Sequence, residues 1–307
     1  MLNIKEQVLL KDYTTFKIGG PADYFVVVKN LEELKEAIAF AQRRKLAILA
    51  LGGGTNILIS DAGFRGLVIK LDLQELYFID QELAVGAGVA VAYLLNKSLE
   101  QGLVGLEFLA GIPGTVGGAI RGNAGTYGLA MSDVVTEITY LDENYQVQTC
   151  RGADCHFAYR HSIFKEIKAI IVVAKLKLVK GDVAAARQMV KERLQYRQDT
   201  QPNEPSAGCI FKNIEFKEVD LEKLKALGVE VEKFAKHQKI PTSYLIERAD
   251  LKGRTIGGAQ VSTKHANYIV NTGDATAEQV IMLLSFIKQQ IRDKYGVQLQ
   301  EEVQFIA

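Results

Sequence analysis

The chain has 307 residues, enough for two or three domains with hydrophobic cores of their own, and too many for a small scaffold stapled by disulfides. Lysine and arginine number 37 against 36 aspartate and glutamate, so no basic field is available to hold a long polyanion, which argues against nucleic acid as a partner. The cysteines, Cys150, Cys155 and Cys209, are too few and too odd in number for a disulfide framework, and point to a reducing, cytoplasmic setting.

The N-terminal stretch "MLNIKEQVLLKDYT" carries acidic residues early and no long apolar run. The most apolar segment, "AIIVVAKLKLV" from residue 169, is interrupted by lysines and too short for a bilayer, so neither a leader nor membrane insertion is expected. Residues 24–60 read as an α/β unit. The strand "YFVVV" leads to a helix that Asn30 can cap with Glu33 in its first turn; Leu31, Leu34, Ala37, Ile38 and Ala41 share one face, and "LAILA" follows. From 66 to 88, "GLVIK", "ELYFID" and "LAVGAG" predict short strands, and a helix is expected near 90–101. From 134, "VVTEITYLDENYQVQTC" reads as a hairpin turning at Glu143 and Asn144, although it lacks the glycine of a two-residue type I′ loop. "KAIIVVAKLKLV" predicts another strand, and a helix is expected over about 183–198. "RQDTQPNEPSAG" holds two of the five prolines and reads as a linker, which puts a domain boundary near 201. From 276 the pattern predicts a helix: Thr276 and Gln279 form a capping box, Val280, Leu283, Leu284, Ile287 and Ile291 share a face, and Gly296 suits the stop. "VQLQEEVQFI" predicts a last strand. Strands and helices come in blocks rather than in alternation, so the expected class is α+β.

Two glycine-rich segments, residues 51–66 and 105–128, are candidates for holding a ligand. Glycine lets backbone approach closely and turn successive N–H groups inward, and a pyrophosphate is the natural guest of such a nest. Neither segment is a GxxxxGK[ST] loop or a GxGxxG fingerprint, which weakens triphosphate hydrolysis and a Rossmann dehydrogenase; mere tight turns are the other reading, and two such segments in one domain weigh against it. In "PSAGCIFKN", Cys209 is open between core filling, a redox thiol and a proton donor. His156 and His161 with Cys150 and Cys155 lack zinc-ligand spacing, so no metal is expected.

The segments "TTFKIGGPADYF", "LGGGTNILISDAGFRGLVI", "GLEFLAGIPGTVGGAIRGNAGTYG", "YRHSIFK", "GCIFKN", "LKGRTIGGAQVSTKHANYIVN" and "LQEEVQFI" occur in an order that resembles the UDP-N-acetylenolpyruvoylglucosamine reductase family, also called UDP-N-acetylmuramate dehydrogenases. The resemblance runs from about residue 14 to the C-terminus. It implies a two-subdomain FAD-binding module of the vanillyl-alcohol-oxidase (PCMH) type, residues 1–200 with subdomains of about 1–72 and 73–200, followed by an α+β substrate-binding domain, residues 201–307. It also implies reduction of the enolpyruvyl double bond of UDP-N-acetylglucosamine-enolpyruvate to UDP-N-acetylmuramate, with NADPH as co-substrate, on the path to peptidoglycan. The implied FAD contacts are Gly52, Gly53, Gly54, Thr55 and Asn56 at one stretch, and Gly111, Ile112, Pro113, Gly114, Thr115, Gly117 and Gly118 at another. No extra tyrosine-bearing loop appears in the C-terminal part, so the chain resembles the shorter type of the family.

Reducing a double bond beside a carboxylate needs a hydride at one carbon, stabilisation of charge on the carboxylate side, and a proton at the other carbon. For the charge the resemblance implies Arg160 in "AYRHSIF", whose fork of donors suits a carboxylate, with Tyr159 beside it at the substrate. Glu302 matches the second glutamate of the family's "LEPEV" pattern; it is useful there only as a protonated hydrogen-bond donor, so a raised pKa is expected. Glu301 stands at the pattern's proline and, facing the other way along a strand, is expected to be solvated. Cys209 stands where the family carries a serine that protonates the enol, and a thiol can do the same while it stays protonated; nearby Lys212 favours thiolate, which cannot. Lys212 and Asn213 are implied at the UDP-sugar, with Ile214 departing from a usual proline. His265 is left as structural. Two other readings are an FAD oxidase of the same broad fold and a flavin- or UDP-sugar-binding protein without turnover.

Overall fold

The computed structural model describes residues 2–307, and the chain falls into two units. The first takes residues up to Val8, Ala22–Gly54 and Phe64–Asp199; the second takes Leu9–Pro21, Thr55–Gly63 and Thr200–Ala307. Two short stretches near the N-terminus therefore belong with the C-terminal part, which no local pattern announces.

In the first unit, strands Pro21–Val28, Phe64–Leu71 and Ala47–Leu51 run parallel side by side, with Lys5–Leu9 at the edge. The helix Leu31–Arg44 makes the crossover between parallel strands. Asn30 starts it, its side chain accepting the Glu33 N–H, and Lys45 ends it at φ 54° in the left-handed region. Leu34, Ala37, Ile38 and Ala41 are buried, while Leu31 is only half-buried. A five-stranded antiparallel sheet follows, in the order Val147–Arg151, Val135–Leu141, Ile170–Lys177, Glu82–Gly86, Leu76–Ile79. The hairpin turns without glycine because the Asp142 carboxylate accepts the Asn144 and Gln146 N–H groups and Tyr145 takes φ 60°. The helix that follows the sheet, Val183–Thr200, runs further than its sequence pattern, so the first residues of the expected linker are helical.

In the second unit, strands Ser206–Cys209, Tyr268–Asn271, Ala259–Val261 and Thr255–Ile256 form a sheet in that order. The helix Ala277–Tyr295 buries Val280, Leu283, Leu284, Ile287 and Ile291 in a core with Phe16, Leu58, Phe211 and Ile269. Burying each aliphatic side chain of that face is worth roughly 1.5–3 kcal/mol. The helix begins at the expected capping box and stops at Gly296, φ 72°. Asp61 adds a second cap, its carboxylate accepting from Ala277 N at 3.0 Å and Glu278 N at 3.3 Å. The expected last strand is shorter than its pattern: only Gln304–Ile306 is strand, paired in parallel with Ile57–Ile59. Residues 297–300 have no strand to lie against, and Glu301 makes an isolated bridge to Phe211. Among the described residues, no helix is long and apolar enough to cross a membrane.

Candidate active site

The first unit brings the two glycine segments together. Gly52 follows the Ala47–Leu51 strand, and Thr115 precedes the short helix Val116–Arg121. A Cβ on Gly52 would stand 2.6 Å from Thr115 Oγ1, and one on Gly118 would stand 3.7 Å from the same oxygen. Thr115 is 8% exposed, yet its hydroxyl oxygen is buried with no hydrogen-bond partner in the protein. A buried hydroxyl left so is costly unless a bound group completes it, and a cradle that a methyl would fill is where such a group fits. Gly54, Gly111 and Gly114, at φ 65°, 73° and 116°, hold the flanking backbone where glycine alone is at ease. Not every glycine here faces a ligand. Val116 N and Gly117 N each donate at 2.9 Å, to Val89 and Ala87, and a Cβ on Gly117 would come within 2.8 Å of Ala87 Cβ. Gly117 is thus required for packing by its own neighbours.

Sequence reasoning missed the cations around this cradle. Lys70 donates to the Gly52 carbonyl, and its burial lowers its pKa while Asp72 pulls it back up. From the helix Val183–Thr200, Arg197 lies against Gly111, whose Cβ would meet its Cδ at 2.4 Å. Arg193, one turn earlier, places its guanidinium 4.3 Å from the Tyr127 ring centroid, and its Nη1 is buried with no hydrogen-bond partner. The i, i+4 spacing of the two arginines was the available signal.

Arg160 is held against the second glycine segment. Its Nη1 donates to the Gly125 carbonyl at 2.9 Å, and its guanidinium carbon lies 5.3 Å from the Tyr159 ring centroid. Its own carbonyl accepts from Lys165 Nζ at 2.8 Å, Asn123 Nδ2 donates to Ala158 O at 3.0 Å, and Ser162 Oγ donates to Arg121 O at 2.8 Å. Burial lowers the pKa of Arg121. Arg160 sits at φ 54°, a left-handed conformation that a non-glycine residue keeps only when its surroundings impose it.

The second unit assembles Cys209, Asn56 and Glu302. Cys209 ends its strand opposite Tyr268. The next carbonyl, that of Ile210, accepts from Glu302 N at 2.8 Å and Val303 N at 3.4 Å, and Lys212 N donates to Gln300 O at 2.9 Å. Buried Asn267 clamps Phe211 from both sides, Oδ1 accepting from its N–H at 3.1 Å and Nδ2 donating to its carbonyl at 2.8 Å. Asn56 Nδ2 donates to Glu302 O at 3.2 Å, and Asn56 O accepts from Gln304 N at 3.1 Å. The thiol-bearing and carboxyl-bearing backbones are therefore one hydrogen-bonded construction.

Around it, Lys212 Nζ reaches Gln300 Oε1 at 3.4 Å. Asn213 Oδ1 accepts from Thr242 N at 3.3 Å and so caps the helix Thr242–Arg248, while Ile214 pairs with Ile240 in a two-residue strand. Glu301 is not the solvated residue expected: it pairs with Lys288 at 2.7 Å, because the helix Ala277–Tyr295 brings that ammonium alongside. The His265 ring stands 4.9 Å from that of Tyr268, burial lowers its pKa, and Nδ1 accepts from Asn267 N at 3.3 Å. Cys150 and Cys155 lie elsewhere in the first unit, with Sγ atoms 3.4 Å apart, and burial pushes Cys155 up to about 12.

The chain matches a family profile described as the C-terminal domain of UDP-N-acetylenolpyruvoylglucosamine reductase over residues 201–306, and one described as an FAD binding domain over residues 22–151. It is 40% identical over 310 residues to the UDP-N-acetylenolpyruvoylglucosamine reductase of Anoxybacillus flavithermus, covering 99% of this chain and 94% of that protein. It is 39% identical to the protein of the same name from Halalkalibacterium halodurans, covering 97% and 92%. A solved structure of UDP-N-acetylenolpyruvylglucosamine reductase from Thermus caldophilus superposes with a TM-score of 0.79 at 30% identity, covering 100% of both chains.

Proposed function

The chain belongs to the UDP-N-acetylenolpyruvoylglucosamine reductase family, and on that premise we propose how its own residues divide the work of the reaction. It is an FAD-containing oxidoreductase that reduces the enolpyruvyl double bond of UDP-N-acetylglucosamine-enolpyruvate to UDP-N-acetylmuramate, a peptidoglycan precursor. Bound FAD supplies the hydride, and NADPH renews it.

Gly52, Gly53 and Gly54, with Gly111 to Gly118, cradle FAD, and Thr115 Oγ1 gives it a hydrogen bond; the unpartnered state of that buried oxygen supports this. Thr55 and Asn56 continue the first stretch. Lys70, Arg193 and Arg197 set positive charge beside the glycines, as a pyrophosphate requires. Arg160 binds the enolpyruvyl carboxylate as negative charge develops there, with Tyr159 beside it, and its imposed left-handed backbone supports a site held ready before substrate arrives. Glu302 donates a hydrogen bond on the carboxylate side. Cys209 delivers the proton: its S–H bond breaks, a C–H bond forms, and the thiolate left behind recovers a proton from water. Lys212 faces a phosphate of the UDP-sugar. With Oδ1 committed to Thr242, Asn213 contributes through its amino group. We place the chain in the cytoplasm, which its free cysteines support.

The observation that carries this reading is the construction joining Ile210 to Glu302, since it sets the proposed acid and the proposed carboxyl at fixed positions in one ladder. A steady-state assay with NADPH and the enolpyruvyl UDP-sugar tests it. Cys209→Ala is expected to lose roughly a hundredfold or more in kcat while Cys209→Ser retains turnover. Full activity in Cys209→Ala would remove the thiol from the mechanism.

A further inference from the structure

We propose that the Lys288–Glu301 ion pair is a positioning clamp that aims Glu302 at the substrate. The inference rests on the catalytic reading of Glu302 given above.

Between Tyr295, where the helix ends, and Gln304, where the last strand begins, the chain is in no helix or named strand, and its regular pairing is the isolated bridge of Glu301 to Phe211. Its backbone ties in this stretch include Lys212 N to Gln300 O, Glu302 N and Val303 N to Ile210 O, and Asn56 Nδ2 to Glu302 O, with Glu301 bridged to Phe211. These hold the 301–302 backbone beside Ile210 and Phe211, and a side-chain restraint at Glu301 adds to them in deciding where the Glu302 carboxyl points.

Glu301 supplies that restraint. Its Oε1 is 2.7 Å from Lys288 Nζ, with the two side chains 30% and 35% exposed, so the pair is partly shielded from water. Lys288 stands on a firm base, because its neighbours Leu284, Ile287 and Ile291 are buried and the start of their helix is capped by both Thr276 and Asp61. In extended backbone adjacent side chains leave on opposite faces. Drawing Glu301 toward the helix therefore turns Glu302 away from it. A proline at 301 would have restrained this backbone through its ring; with glutamate there, the ion pair adds a side-chain restraint to the backbone bridge.

The test separates the two half-reactions of the FAD-loaded protein by anaerobic rapid mixing. Lys288→Met and Glu301→Gln are each expected to slow reoxidation of the NADPH-reduced protein by the enolpyruvyl UDP-sugar roughly fivefold. Reduction by NADPH, in which Glu302 takes no part, is expected to stay within about twofold of wild type. Lys288→Arg keeps the pair and is expected to behave as wild type, and Lys288→Glu combined with Glu301→Lys is expected to recover most of the loss. A merely structural role would lower thermal stability and move both half-reactions together, or neither, and either result overturns the clamp. Glu302→Gln is the control. If it reoxidises at the wild-type rate, the catalytic reading of Glu302 fails and the clamp with it; if it is slow while Lys288→Met is not, the clamp alone fails. Should Lys288→Met not fold, slow NADPH reduction in the well-folded Lys288→Arg, or its failure to keep the wild-type reoxidation rate, overturns the proposal.

Discussion

Cys209 can give up a proton only as a thiol, so turnover is expected to be full below its titration and to fall as pH rises through it. A thiol has a reference value near ~8.5, far below that of an alcohol. Cys209→Ser should accordingly keep its activity to higher pH, and superimposable alkaline limbs in the two pH–rate profiles would contradict proton delivery by the thiol. Arg160→Lys should lose about a hundredfold in kcat, since a single ammonium cannot replace two parallel donors on a carboxylate. Gly52→Ala should release flavin, read as loss of the yellow absorbance in a protein whose circular dichroism is unchanged, because the new methyl would crowd Thr115 Oγ1 at 2.6 Å. At this scale spacing alone said little. Arg160, Cys209 and Glu302 lie far apart in the chain, and only their motifs singled them out. Lys70, Arg193 and Arg197 had no motif and became visible only when the fold brought Lys70 and Arg197 beside the glycines and Arg193 over Tyr127.

The helix Ala277–Tyr295 is the element on which the second unit depends. Thr276→Ala removes one member of its capping box and should cost about 1 kcal/mol in urea unfolding. Ile287→Ala opens a hole in the core and should cost roughly 2–5 kcal/mol. His265, on the turn before the strand Tyr268–Asn271, has its pKa lowered chiefly by burial. The unfolded chain therefore takes up the proton first, so the native state loses stability as pH falls below the unfolded value near ~6.5. His265→Gln should flatten that acid limb in unfolding measured from pH 7.5 to 5. Capping boxes and the apolar face of this helix were legible because they lie within a few residues of one another. The Asp61 cap was not, since its carboxylate comes from 216 positions away. The last strand was read too long for a related reason: alternation in "VQLQEEVQFI" says nothing about whether a partner strand extends alongside it, and only Gln304–Ile306 has one.

Over the whole molecule, the α+β class followed from the blocks of strands and helices, whereas the membership of Leu9–Pro21 and Thr55–Gly63 in the second unit did not follow from any composition shift. Leu9–Pro21 and Thr55–Gly63 join the C-terminal unit through contacts such as Asn271 Nδ2 to Phe16 O and the parallel pairing of Ile57–Ile59, which depend on distant sequence. Flavin that binds the folded chain alone should stabilise it by about 2.7 kcal/mol at a hundred times its dissociation constant, read as a higher melting temperature than that of the stripped protein. The most direct measurement is an anaerobic titration of the FAD-loaded protein, followed by its visible absorbance. NADPH should bleach the yellow colour, and about one equivalent of enolpyruvyl UDP-sugar per flavin should restore it without oxygen. Colour that returns only when air is admitted would contradict the account and mark the protein as an oxidase.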